Sequence, residues 1–227
     1  MTNIAALTQL NLERWHRCEI IPSRFNEVMA TAKRLCAADA KARYQGICDR
    51  LVELAQTDPA IVPVPWWFIA IVSEREYGGP PHWDRQLGQG DPLNQVSRHV
   101  PRGMGPYLAH PGDATPGHDA WTRCCVDVLL NSAPRAGKWR DWSIGGALTL
   151  FILYNGTGYE DYHHEPSPYD WGATNIQQWG KYTGDGVYSA HVWDTQIGCA
   201  AMLKAMMIVD PSITIEGADL PQTSAIA

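Results

Sequence analysis

Apolar and polar positions along the chain fall into blocks with a helical period, separated by long stretches that have none. Through residues 3–18, 22–38 and 40–56, apolar side chains recur at three- and four-residue spacing in a background of Ala, Leu, Arg and Glu, which predicts three helices. "TDPAIVPVP" ends that pattern, because its closely spaced prolines hold the backbone extended, and it places a boundary near residue 60. Pro65 then suits the first turn of a helix that runs to about residue 77. Projected at about 100° per residue, Trp67, Phe68, Ile69, Ile71 and Val72 cover most of its circumference. That predicts a central, buried helix whose last turn carries Glu74, Arg75 and Glu76.

Helical character returns over residues 118–130, 142–154 and 193–207. Between these blocks lie residues 78–116, rich in glycine and proline, and a second irregular stretch from 155 to 188, dense in Tyr, Trp, Asn and Gly. Segments this long inside a compact domain are usually functional loops or small irregular sheets. The expected architecture is mainly α, with long irregular loops around a buried central helix. Residues 1–60 read as an N-terminal helical extension, 61–210 as the domain that carries the chemistry, and 211–227 as a frayed tail.

Composition sharpens this division. Residues 1–60 are nearly neutral, whereas 61–227 hold seventeen of the nineteen Trp and Tyr residues and a net charge of −7, so the site is expected in the second part. A net charge of −6 over 227 residues gives no electrostatic drive toward nucleic acid or anionic lipid. The longest apolar run, residues 145–154, is well short of the roughly 20 residues that a membrane-spanning helix needs. No basic segment and small-residue cleavage pattern opens the chain, which predicts synthesis in the cytoplasm without a recognisable signal peptide. Six cysteines without C-x-x-C pairing read as reduced, mostly buried thiols.

Candidate chemistry concentrates at the end of the central helix. A carboxyl group that loses water gains proton affinity and can donate a proton near neutral pH. Glu76 fits this if the Gly78-Gly79 loop folds over it; Glu74 is the reserve, and spacing alone does not choose between them. "LGQGDPLN" presents Gln89 and Asp91 from a glycine-rich turn, where a second carboxylate could face the first across a cleft. Tyr154, Asn155, Tyr159, Tyr169, Trp171, Asn175, Trp179 and Tyr182 supply flat aromatic rings and amides of the kind that contact sugars. Adjacent His163 and His164 lack metal-ligand spacing, and phosphate-loop, dinucleotide and nucleophile-elbow motifs are missing, so neither metal nor cofactor is expected.

Taken together, "AIVSEREYGG", "QLGQGDPLN", "HVPRG", "YNGTGY", "SPYDWGATN" and "GKYTGDG" resemble, in order over about residues 66–205, a family of bacterial and phage lysozyme-like proteins. The resemblance implies a lysozyme-like fold and cleavage of the β-1,4 bond between N-acetylmuramic acid and N-acetylglucosamine in peptidoglycan, with Glu76 as general acid. Tyr154 and Asn155 take a substrate-contact role on the same ground. The chain departs from the family pattern at Tyr77, and by two extra residues before the Gly-Asp-Pro-Leu turn. Alternatives on the same scaffold are a lytic transglycosylase, a chitinase- or chitosanase-like glycosidase and a non-catalytic glycan-binding or phage structural module. The expected partners are peptidoglycan glycan strands, reached after release by a holin-like protein or by injection.

Overall fold

The computed structural model describes residues 2–88, 90–93 and 120–219. Within them the chain forms the α-helices α1 (Ile4–Arg17), α2 (Phe25–Leu35), α3 (Ala38–Ala55), α4 (Trp66–Tyr77), α5 (Ala120–Asn131), α6 (Ile144–Asn155), α7 (Pro168–Trp171) and α8 (Cys199–Val209). A π-helical turn (Tyr159–His163) follows α6, and an antiparallel hairpin, β1 (Lys181–Gly184) and β2 (Val187–Ser189), pairs Lys181 with Ser189 and Tyr182 with Tyr188. Among the described residues no helix is long and apolar enough to cross a membrane.

Three helices are apolar on every side, and this governs the assembly. Trp67 to Ser73 of α4, Ile144 to Ile152 of α6 and Cys199 to Met207 of α8 are all buried. A helix without a polar face must be covered all round. The cover comes from the first three helices, since α1 lies along α6, α2 along α8 and α3 against α4. Trp15, Val28, Leu35, Tyr44, Ile47 and Leu51 therefore share one core with Phe68, Phe151 and Leu203. Polar ties cross the same contacts. Asn11 Nδ2 donates to Thr149 Oγ1 at 3.1 Å, and Arg14 pairs with Glu160 at 2.6 Å.

Three sequence expectations change here. The segment near residue 60 is a connection inside one core, so residues 1–60 are structural cover for the central helices and not an appendage. The tail is packed as far as residue 219: Ile213 and Ala218 are buried, and Ile144 N donates to Glu216 O at 2.8 Å. The last helix starts at Cys199 and not near 193, because Asp194 Oδ1 accepts Gln196 N at 2.8 Å and holds that stretch in a turn. All six cysteines are free and buried or half-buried, and burial pushes the Cys18 and Cys36 thiols up to about 11.

Candidate active site

The last turn of α4 sends its charged residues in different directions. Gly78 ends the helix, with its N–H on Glu74 O at 3.0 Å. Arg34 of α2 clamps this end: Nη1 donates to Gly78 O at 2.8 Å and Pro80 O at 3.0 Å, and Nη2 to Glu74 Oε1 at 2.7 Å. Glu74 is thus engaged in tethering α2 to α4. Glu76 turns instead to α7, a four-residue helix that Ser167 caps and Pro168 opens, and Tyr169 Oη donates to Glu76 Oε1 at 2.9 Å.

Burial lifts the Glu76 carboxyl from its ordinary 4.5 to about 7, against the lowering effects of the Tyr169 hydrogen bond and the Arg75 charge. Some of its surface still opens on a hollow of about 330 Å³ that Tyr77 and Ile197 also line. Arg75 stands at one edge of this hollow, its guanidinium 4.3 Å from the centre of the Tyr169 ring and its Nη1 donating to Ile197 O at 2.9 Å. Arg75 and Gln196 also line a larger hollow of about 540 Å³, so the two adjoin there.

The walls of the larger hollow are Asn155 at the exposed end of α6, Tyr159 of the π-helical turn, and Lys181, Tyr182 and Asp185 of the hairpin. Tyr159 and Tyr182 brace each other, with rings 5.0 Å apart and Tyr182 N on Tyr159 Oη at 2.9 Å. Lys181 Nζ lies 3.2 Å from Asp194 Oδ1. His163 stacks on Tyr188 at 3.5 Å and lies 3.0 Å from Tyr182 Oη, while Tyr188 donates to Glu165. That network steadies the hairpin from behind. No cluster of three or more His, Cys, Asp or Glu suited to a metal ion occurs among the described residues.

The Gly-Asp-Pro turn closes on the same helix end. Gly90 has φ +66°, and a Cβ on it would stand 2.5 Å from Glu76 O, so only glycine lets the turn press against that backbone. Asp91 follows directly, with its carbonyl accepting Gln86 N at 2.8 Å. Gln89 and "HVPRG" lie outside the described residues. Tyr154 packs its ring against Phe68 at 6.2 Å, and burial together with the nearby Glu76 charge pushes its hydroxyl well above its ordinary range.

Tyr154 lines neither hollow, and other expected contact residues are also elsewhere. Trp171 is completely buried and belongs to the core beneath α7. Asn175 accepts Glu19 N at 2.9 Å and donates to Arg17 O at 3.0 Å, so its amide joins the loop to the end of α1. Conversely, Lys181, Asp194 and Gln196 line the cleft without having been singled out in the sequence. The last two sit in a stretch whose apolar spacing reads as helix. Asp170, beside Tyr169, is wholly buried with no hydrogen-bond partner for either carboxylate oxygen, and burial raises its pKa well above the carboxylate range. Comparison with protein-family models, with curated proteins and with solved structures gives no match to this chain.

Proposed function

We propose that the chain is a glycosidase of lysozyme-like fold that cleaves the β-1,4 bond between N-acetylmuramic acid and N-acetylglucosamine in peptidoglycan, with Glu76 as general acid. The observation that carries this reading is a carboxyl group lifted to about 7 at the end of a buried helix, anchored through one oxygen by Tyr169 and open to a hollow that adjoins, at Arg75 and Gln196, a larger one with aromatic and polar walls. Such a group holds its proton near neutrality and can give it up in a transition state.

Because Oε1 accepts the Tyr169 hydroxyl, Oε2 is the oxygen left to carry and deliver the proton. It protonates the glycosidic oxygen, the C1–O bond breaks with its electrons going to that oxygen, and the sugar ring takes on oxocarbenium character. Water then adds at C1. Asp91, whose turn rests on the Glu76 backbone although it lines neither hollow, is the candidate for the second carboxylate, which takes the water proton. Tyr182, braced by the buried Tyr159, offers its ring to the sugars, and Asn155 an amide to their acetamido groups. The enzyme would be made in the cytoplasm and meet the wall after release by a holin-like partner.

The test is release of soluble muropeptides from purified peptidoglycan, with mass spectrometry of the new ends. Wild type should release fragments with reducing ends, and Glu76→Gln should lower the rate by about 10²–10⁴, the contribution typical of one general acid. Anhydro ends would replace the water step with attack by the sugar's own hydroxyl, as in a transglycosylase. No release by wild type from any peptidoglycan would overturn the reading.

A further inference from the structure

We propose that Trp179 and Trp193 form a second glycan-binding platform, which takes the sugars of a long strand as it leaves the cleft; this rests on the reading of the cleft as a glycan site. Eight of the ten tryptophans lie in the core or pack against it, and these two do neither. Trp179 is 60% exposed, which is unusual for the largest apolar side chain and is the kind of surface that marks an interaction site. Its ring meets Trp193 at 5.4 Å with 62° between planes, so the two indoles form a bent apolar surface and not two separate rotamers.

Backbone ties this pair to the cleft wall. Gly180 N donates to Val192 O at 3.0 Å and ties the two segments together just beyond the indoles. The residues that follow, Lys181 and Asp194, are themselves cleft wall and pair at 3.2 Å. The aromatic pair is therefore joined through the backbone to the wall that includes Asn155 and Tyr182, without lining the hollow itself. Exposed Gln178 and His191 flank it in sequence and supply polar groups at its margin. A flat apolar surface with polar edges suits a pyranose ring, whose C–H groups gather on its faces while its hydroxyls project around the rim. An unbranched glycan strand that runs on beyond the cleft is the occupant that such a neighbouring surface fits.

The experiment compares wild type with the Trp179→Ala/Trp193→Ala variant on soluble, uncrosslinked glycan strands and on a peptidoglycan tetrasaccharide. Loss of the platform should raise KM for long strands about tenfold with kcat unchanged, and leave both constants for the tetrasaccharide within about twofold of wild type. Unchanged KM for long strands, in a variant that melts like wild type, would overturn the proposal. A second arm measures binding of the same strands by calorimetry to Glu76→Gln with and without the tryptophan pair. About tenfold weaker binding on removing the pair upholds the platform even if wild type shows no turnover, and equal binding sinks it whatever becomes of Glu76.

Discussion

Glu74 and Glu76 stand two residues apart on one helical turn, yet one is fastened to Arg34 and the other lodged against Tyr169. The buried helix end pointed to both residues; the choice between them depends on an arginine forty positions earlier and a tyrosine ninety-three later, which no local pattern reveals. Glu76 should also leave a signature in stability. Between its ordinary 4.5 and about 7, the unfolded chain surrenders this proton before the native state does, so the native state binds more protons and stability falls as pH rises through that window. Above it the loss is complete, at about 2 to 3 kcal/mol once partial solvent access is allowed for. Glu76→Gln, neutral at every pH, should therefore melt at higher temperature than wild type at pH 8 and at nearly the same temperature at pH 4. Circular dichroism melts at the two pH values test this, and an equal advantage at both would show that ionisation has no part in it.

At the scale of elements, periodicity recovered the longer helices because each has either an apolar stripe or an unbroken apolar surface. It failed where a short-range polar contact outweighs period, as at Asp194, and where a stretch read as loop forms a short helix and turns its aromatic residue inward, as Trp171 does. Helix α2 illustrates a role that no pattern announces: its Arg34 holds Glu74 and the Gly78 and Pro80 carbonyls, thereby fixing the α4 terminus that aims Glu76. Arg34→Ala should leave the half-buried Glu74 charge without its partner and cost about 2 kcal/mol, or about 4–8 °C in Tm for a chain of this size. Cell-wall cleavage should fall further than the melt alone explains. Arg34→Lys, which keeps the charge but cannot hold three acceptors in one fork, should recover part of the stability and little of the activity. Full activity in Arg34→Ala at a temperature where it is folded would mean that the clamp does not position the acid.

For the molecule as a whole, the sequence placed a division near residue 60 because proline breaks the helical pattern there and aromatic content rises beyond it. A hydrophobic pattern says that a helix has a face to bury, not what will bury it. The packing supplies that missing fact. Helices α4, α6 and α8 have no polar face, and α3, α1 and α2 respectively cover them. Removing residues 1–60 would bare those contacts. It would also take Trp15, Tyr44, Ile47 and Leu51 from the core, leave Glu160, Glu74 and Asp210 without the cations that pair with them, and strip Lys204 of the Trp15 ring 4.0 Å away. Four large buried side chains at about 3 kcal/mol each already reach the about 5–15 kcal/mol that an ordinary domain has to lose. A chain of residues 61–227 should therefore show no near-ultraviolet circular dichroism, no cooperative melt and no muropeptide release. A cooperative melt from that fragment would restore the first sixty residues to the status of a dispensable extension.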